Sequence, residues 1–366
     1  LERKYLFYVV ITCLIACIFG GLLAAFLSRA VTKSLLFIEA EMSNIQNFRL
    51  DEPFELKTRI LEVYRMKVAV DAMKQGLRSF VKYVPSEVVR QLIGMNKEAV
   101  LGAERREMTI MFTDIAGFTS ISENMDSDTL AEYLAVYFKG MTEPIMQNKG
   151  TVDKYIGDAV MAFWGAPLKL DDHAIKACNT ALDCNYFLEK MNADSVAKGL
   201  PPLHTRIGIN TGEVVVGNFG YDKRMNYTVM GDHVNLASRL EGLNNRYGTR
   251  IIISEYTYGQ VRELFVTRPL DTVSVKGRKQ GVRIYELISR LGEVNPAQEE
   301  FLDRYNQSFS KYSAGRWNEA RAGFAEALEM RPEDKAARNL MDRCEDFLNH
   351  PPDTGWTGVF SIKEKH

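Results

Sequence analysis

The sequence lacks the features that mark several functional classes. Its five cysteines (Cys13, Cys17, Cys178, Cys184 and Cys344) form no Cys-x-x-Cys pair, and two lie in an apolar run. This argues against a thiolate zinc site or a disulfide scaffold, so all five are read as reduced and structural. The five histidines (His173, His204, His233, His350 and His366) show no metal-ligand spacing. A net charge of -1 over 366 residues offers no global attraction to nucleic acid. Charged residues at 25% and hydrophobic residues at 46% are ordinary for a folded chain, and the length allows two or three units.

One stretch has no charge at all. From Tyr5 to Ser28 (YLFYVVITCLIACIFGGLLAAFLS) no side chain is ionisable at neutral pH, and about 20 such residues suffice to cross a hydrocarbon core as a helix. Arg3 and Lys4 flank one end, Arg29 and Lys33 the other, so local charge leaves orientation open. A secretory signal would need a small-residue cleavage site, which is not evident, and helical spacing continues past the run. The chain begins with Leu, from which a fragment with an upstream sensor is expected.

Heptad spacing follows. Leu35, Ile38, Met42 and Ile45 alternate steps of three and four, a polar stretch with Pro53 intervenes, and Val63, Met66, Val70, Met73, Leu77, Phe80 and Val84 resume it. So narrow a seam fits a partner helix better than a globular core. The arrangement resembles a HAMP signal-relay module, although Thr32-Lys33-Ser34 lacks the proline often found there. A plain dimerising stalk is the alternative; both readings imply a parallel dimer.

From Met108 to about Leu287 the pattern turns mixed. MTIMFTD reads as a strand and Thr129 to Gln147 as a helix. TVDKYIGDAVMAFWG reads as a hairpin with its tip at Ile156-Gly157-Asp158. After a helical stretch from Asp171 to Met191, TRIGINTGEVVVGNFG reads as a second hairpin turning at Asn210-Thr211-Gly212. Asp232 to Arg246 is an amphipathic helix, and RIIIS, LFVTR and VRIYEL are short strands. Without a regular β-α repeat, the expected fold class is α+β with a mostly antiparallel sheet. In the tail, Trp317, Ala320, Phe324, Ala327 and Pro332 are spaced like one tetratricopeptide unit, which cannot bury its own face and must pack on a neighbour. The last residues, with Pro351, Pro352 and Trp356, are expected to be mobile.

Two aspartates are poorly explained by packing. Asp114 ends an apolar strand in MFTDIAGFT, and Asp158 sits at a hairpin tip. Two such carboxylates can converge on hard cations such as Mg²⁺. Singly, a helix cap would account for Asp114 and a turn for Asp158.

FTDIAGFT, DKYIGDAVMAFWG, RIGINTGEVVVGN and YTVMGDHVNLASRLE stand in the order and spacing of the class III nucleotidyl cyclases. The resemblance covers roughly Glu104 to Leu287. It implies an adenylyl cyclase that turns ATP into cyclic AMP and pyrophosphate with two Mg²⁺ or Mn²⁺ ions per site. The expected fold is a ferredoxin-like, palm-like antiparallel sheet with flanking helices. By the same resemblance Asp114 and Asp158 are metal ligands, joined by the carbonyl of Ile115. Lys154 and Thr228 read the purine, and lysine there argues for ATP, since guanylyl cyclases usually carry Glu and Cys at these two positions. Thr in place of the commoner Asp resembles a bacterial subgroup with bicarbonate-stimulated members. Asn235 orients the ribose and Arg239 stabilises phosphate charge. Lys276 binds the triphosphate, with Lys279 close enough to confuse the assignment. Glu213 stands where some relatives have a phosphate-binding Arg. His233 is read as a surface residue.

Because family sites form between two cyclase domains, a complete set in one chain implies a homodimer with two composite sites. The expected layout is a membrane helix over 1–30, a HAMP-like relay over 31–84, the catalytic domain over 85–290 and the tetratricopeptide-like tail over 291–366. The membrane would hold the catalytic domain on its cytoplasmic side, and the tail is free to take a protein partner. A guanylyl cyclase, or a nucleotide-binding module without turnover, stands as the alternative.

Overall fold

The structure is a computed structural model that describes residues 2–83, 100–274, 281–352, 356 and 358–360. It divides into two compact units, Leu1–Ala99 and Val100–His366.

Among the described residues the first unit is two helices and a connector. Helix α1 runs unbroken over Glu2–Gln46, and its apolar side chains from Tyr5 to Leu27 are exposed. By length and composition it can cross a membrane. Helix α2 spans Leu61–Val81. Connector residues 55–60 border α1 from Phe26 to Phe37, while Lys74 on α2 meets Glu41 further along α1. The two helices therefore run side by side in the same direction. Ile45, Leu50 and Val70 form a small core, supported by Ile38 and Leu77. Lys74 and Glu41 are buried together, and the Lys74 ammonium also donates to the Glu52 carbonyl. The expected α2 seam splits in two. Val63 and Val70 are buried and Leu77 half-buried, whereas Met66, Met73 and Phe80 face outward. The outward column is left uncovered by α1. Val84 lies outside the described residues.

Among the described residues the second unit is built on a nine-stranded sheet. Strands β1 (Gly102–Ile115), β2 (Thr151–Ile156), β3 (Ala159–Trp164), β4 (Thr205–Tyr221), β5 (Arg224–Met230), β6 (Ile251–Ser254), β7 (Phe265–Val273), β8 (Val282–Arg290) and β9 (Val359–Phe360) line up as β2-β3-β1-β4-β6-β8-β7-β9, with β5 on β4. Pairing is antiparallel except β4 with β6 and β7 with β9, so the fold is the expected α+β class. Helices α3 (Phe118–Glu123), α4 (Ser127–Gln147), α5 (His173–Ala197), α6 (Asp232–Tyr247) and α7 (Glu255–Val261) flank it. Alternate β1 residues enter different cores. Met111 and Ile115 meet Tyr137, Met141 and Ile145 of α4 and Cys178 and Leu188 of α5; Met108 and Ile110 join Val234 and Ala237 of α6. A strand covered on both faces carries apolar side chains at adjacent positions, as β1 does at Ile110, Met111 and Phe112.

The second expected hairpin does not form. Strand β4 passes straight through Asn210-Thr211-Gly212 and pairs with β1 along its length, from Asn218 opposite Gly102 to Thr205 opposite Ile115. These turn-like residues serve the interior instead. Thr211 Oγ1 lies 2.8 Å from Thr109 Oγ1 and 3.0 Å from Thr257 Oγ1, and the Asn210 amide donates to the His233 carbonyl at 2.8 Å. At Gly212 a Cβ would meet the His233 ring at 2.2 Å, so glycine here admits a neighbour rather than a turn. The chain reverses later, where Tyr221 pairs with Arg224. His233 is accordingly half-buried between Gly212 and Tyr256, not a surface residue.

The tail forms helices α8 (Pro296–Ser313), α9 (Trp317–Met330) and α10 (Lys335–Asn349). They share one core with the sheet and α6: Phe301, Tyr305, Phe324 and Leu340 pack with Leu240, Tyr247, Ile252 and Leu270. At this junction the buried Asp271 accepts from Tyr247 Oη at 2.6 Å and from Arg343 at 2.8 and 3.0 Å. Trp356 is docked rather than mobile, with its ring 5.3 Å from Phe347 and 5.5 Å from Tyr312. Cys178, Cys184 and Cys344 are buried free thiols, and burial pushes the Cys344 thiol up to about 12.

Candidate active site

Asp114 is the penultimate residue of β1, on the face toward α6. Asp158 sits in the β2–β3 turn beside Gly157, which takes φ 63°, a left-handed conformation that favours glycine. Strand β3 pairs with β1, with Val160 opposite Thr113, so the hairpin tip lies beside the end of β1 and Asp158 Oδ2 accepts the Ile115 amide hydrogen at 3.0 Å. Asp158 thus meets the Ile115 backbone through its amide, rather than its carbonyl, beside the Asp114 carboxylate. Burial raises the Asp158 carboxyl above its usual range; the Ile115 N–H opposes this and the negative charge of Asp114 reinforces it.

The β1–β4 register sets Arg206 directly opposite Asp114, and its guanidinium donates to that carboxylate. On its other side Arg206 Nε stands 2.8 Å from Glu241 Oε1 of α6. That contact is an ion pair without hydrogen-bond alignment, since both atoms are buried and lack a directed partner. Burial pushes the Glu241 carboxyl up to about 7; Arg206 draws it down, and Asp114 and Asp158 push it up.

Hard oxygen donors carrying two like charges at one strand end fit a divalent cation. Among the described residues no cluster of three or more His, Cys, Asp or Glu side chains could hold a metal alone. Mg²⁺ commonly takes one or two carboxylates and completes its shell with water and substrate phosphates, so the donor set is compatible.

A second group assembles elsewhere on the sheet. Thr228 of β5 is buried and donates its hydroxyl hydrogen to Asp153 of β2. The exposed Lys154 ammonium stands 3.6 Å from the same carboxylate. Asp153, raised by burial and drawn down by Thr228 and Lys154, therefore unites the two expected purine readers. Asn235 and Arg239 project from one exposed face of α6, four residues apart. No hydrogen bond or ion pair among the described residues joins Asp114 or Asp158 to Lys154, Thr228, Asn235 or Arg239. Glu213 is exposed and pairs with Arg105 at 2.9 Å. Lys276 and Lys279 lie outside the described residues.

Sequence reading missed Arg206, Glu241 and Asp153. Asp153 adjoins Lys154 within one motif, so proximity could have flagged it. Arg206 and Glu241 become neighbours of Asp114 only through strand register and helix packing.

Residues 102–289 match the family described as the adenylate and guanylate cyclase catalytic domain. The chain belongs to that family. It is 37% identical over 277 residues to Adenylate cyclase 1 of Rhizobium meliloti (strain 1021), covering 76% of this chain and 42% of that protein. It is 35% identical over 249 residues to an adenylate cyclase of Anabaena cylindrica, covering 65% of this chain and 49% of that protein. A solved bacterial light-regulated adenylyl cyclase superposes with a TM-score of 0.56 at 26% identity, over 63% of this chain and 66% of that one. The chain thus spans less than half the length of these two curated relatives.

Proposed function

We propose that the chain is a membrane-anchored adenylyl cyclase that converts ATP to 3′,5′-cyclic AMP and pyrophosphate in two composite sites of a homodimer. The observation that carries it is the convergence of Asp114 and Asp158 on the end of β1, with the Ile115 amide fixing Asp158 at 3.0 Å. Asp114, Asp158 and the Ile115 carbonyl would hold two Mg²⁺ or Mn²⁺ ions, which supply activation of the ribose 3′ oxygen and neutralisation of the polyphosphate. The chain's own groups bind and orient. Lys154 donates to an adenine ring nitrogen. The Thr228 hydroxyl has committed its hydrogen to Asp153, so toward the base it can only accept, which suits the exocyclic amine of adenine and not the carbonyl of guanine. Asn235 orients the ribose, Arg239 stabilises charge developing on the phosphates, and Lys276 binds the triphosphate.

The separation of the two residue groups within one chain supports a site that needs the opposite group from a second copy. The apolar run of α1 supports a membrane anchor with the catalytic domain on its cytoplasmic side. The parallel α1–α2 pair supports a HAMP-like relay from an upstream sensor. The 1–30, 31–84, 85–290 and 291–366 division stands as part of this reading, with the tail built onto the catalytic sheet.

The test is product analysis on the full chain in vesicles, offered ATP or GTP with Mg²⁺ or Mn²⁺. Cyclic AMP and pyrophosphate in equal amounts are expected. A preference for GTP would overturn the substrate, and binding without turnover would reduce the domain to a nucleotide sensor.

A further inference from the structure

The first unit carries a groove on the connector side of α1. Phe26, Leu27, Ala30 and Phe37 of α1 form one wall, and Leu56 and Ile60 of the connector form the other. Lys33, Lys57 and Arg59 line the same groove with a single carboxylate, Glu55. All three cations are exposed, and none has an ion-pair partner among the described residues. Unpaired cations beside apolar walls are not explained by the packing of this unit.

Position along α1 identifies an occupant. The uncharged run ends at Ser28, so Phe26 and Leu27 belong to the end of the hydrocarbon layer. Lys33 stands roughly 10 Å further along the helix axis, at 1.5 Å per residue. The connector returns Lys57 and Arg59 to the same level. Apolar walls toward the hydrocarbon and converging cations toward water match a phospholipid with a negatively charged headgroup, its acyl chain against Phe26 and Leu27 and its phosphate among the cations. Cations at this level attract anionic lipid additively, and their stems can lie along the apolar wall. The seam residues Leu35 and Met42, where a second copy would pack, do not line the groove.

We propose that this groove is a binding site for an anionic phospholipid, held by Lys33, Lys57 and Arg59, which ties the relay helices to the charge of the membrane surface. The proposal rests on the membrane-anchored reading. Its test uses the full chain in phosphatidylcholine vesicles containing a trace of phosphatidylglycerol with a photoreactive acyl chain. Labelled peptides are mapped, with unlabelled phosphatidylglycerol or extra phosphatidylcholine as competitor. Labelling within 26–37 and 55–60 is expected, displaced by phosphatidylglycerol alone. The triple variant Lys33→Gln/Lys57→Gln/Arg59→Gln should lower it by about fivefold for each cation removed. Lys169→Gln/Lys198→Gln, which alters exposed catalytic-unit lysines, should leave it unchanged.

Flotation reports the underlying reading separately. If the chain does not float with vesicles, membrane anchoring fails and the proposal with it. If it floats but labelling is displaced equally by both lipids, or survives the triple variant, the groove holds only ordinary boundary lipid and the proposal is wrong. A disulfide between copies through Phe37→Cys, accompanied by loss of labelling, would show that a second chain covers this face and would equally overturn it.

Discussion

The two halves of the candidate site differ in how finished they are. At the end of β1, Asp114, Asp158, Arg206 and Glu241 are half-buried, mutually paired and tied to backbone. On β2, β5 and α6, Lys154, Asn235 and Arg239 are exposed, and only Thr228 and Asp153 are locked together. The first half is an organised cluster of charge in which the Asp114 and Asp158 carboxylates repel each other. The second is a set of polar side chains presented outward, most of them without a partner among the described residues fixing them in place. A preassembled half should fail abruptly when one member is lost, while an open half should be replaceable from another chain.

The largest expected effect is on the finished half. Asp114→Ala or Asp158→Ala should lower turnover at least about a thousandfold even at saturating Mn²⁺, because several kcal/mol of charge stabilisation are lost. Circular dichroism should show the fold intact. Near-normal turnover in either variant would remove the metal assignment. Next in size is complementation. Asp114→Ala and Arg239→Ala chains, each inactive alone, should regain about a quarter of wild-type activity when mixed equally, since half the dimers then hold one intact site of two. Heterodimers that form and stay inactive would place each site within a single chain.

That contrast also explains what was legible beforehand. The hairpin bearing Asp158 announced itself because alternation, a glycine and a carboxylate coincide within a few residues, and the structure has it. The α+β class, the amphipathic α6 and the helical tail were readable for the same local reason. The Asn210-Thr211-Gly212 turn was misread because those residue types also serve as buried hydrogen-bonding groups, and which use wins depends on α6 packing above them. Trp356 was read as mobile because its partners Phe347, Tyr312 and Trp317 come together only when α8, α9 and α10 pack. Arg206 and Glu241 were invisible because a cross-strand and helix-to-strand meeting leaves no mark at either position in the sequence.

On the open half the expected effects are smaller and concern choice rather than rate. Lys154→Glu with Thr228→Cys should shift the ATP-to-GTP ratio of kcat/KM toward GTP by about a hundredfold or more, because a hydrogen-bonding pocket rejects a base that leaves its groups unpaired. Asp153→Ala separates the two roles. It frees the Thr228 hydroxyl to donate, so the ratio should fall by about tenfold, while Asp153→Asn, which keeps an acceptor oxygen, should restore most of it. If Asp153→Ala leaves the ratio untouched, the Thr228 hydroxyl does not read the base.

The smallest expected effect returns to the finished half and concerns stability. Glu241 has an ordinary carboxyl value of 4.5 when unfolded and about 7 when folded, chiefly because it is buried. A raised folded value means the protonated form is favoured by folding. Its stabilising contribution is fully present below about 4.5 and is lost as pH rises through about 7. Glu241→Gln mimics the protonated form at every pH. In the absence of divalent ions, wild type and Glu241→Gln should therefore unfold at similar temperatures at pH 5. At pH 8 the variant should be the more stable, by on the order of 2–4 kcal/mol at most. That difference is what remains after the opposing pull of the Arg206 guanidinium 2.8 Å away, which favours ionised Glu241. If the ion pair outweighs burial, the variant will instead lose stability toward pH 8, and Glu241 becomes a charged brace for Arg206 rather than a neutral one. Thermal unfolding of both proteins at the two pH values decides between these signs.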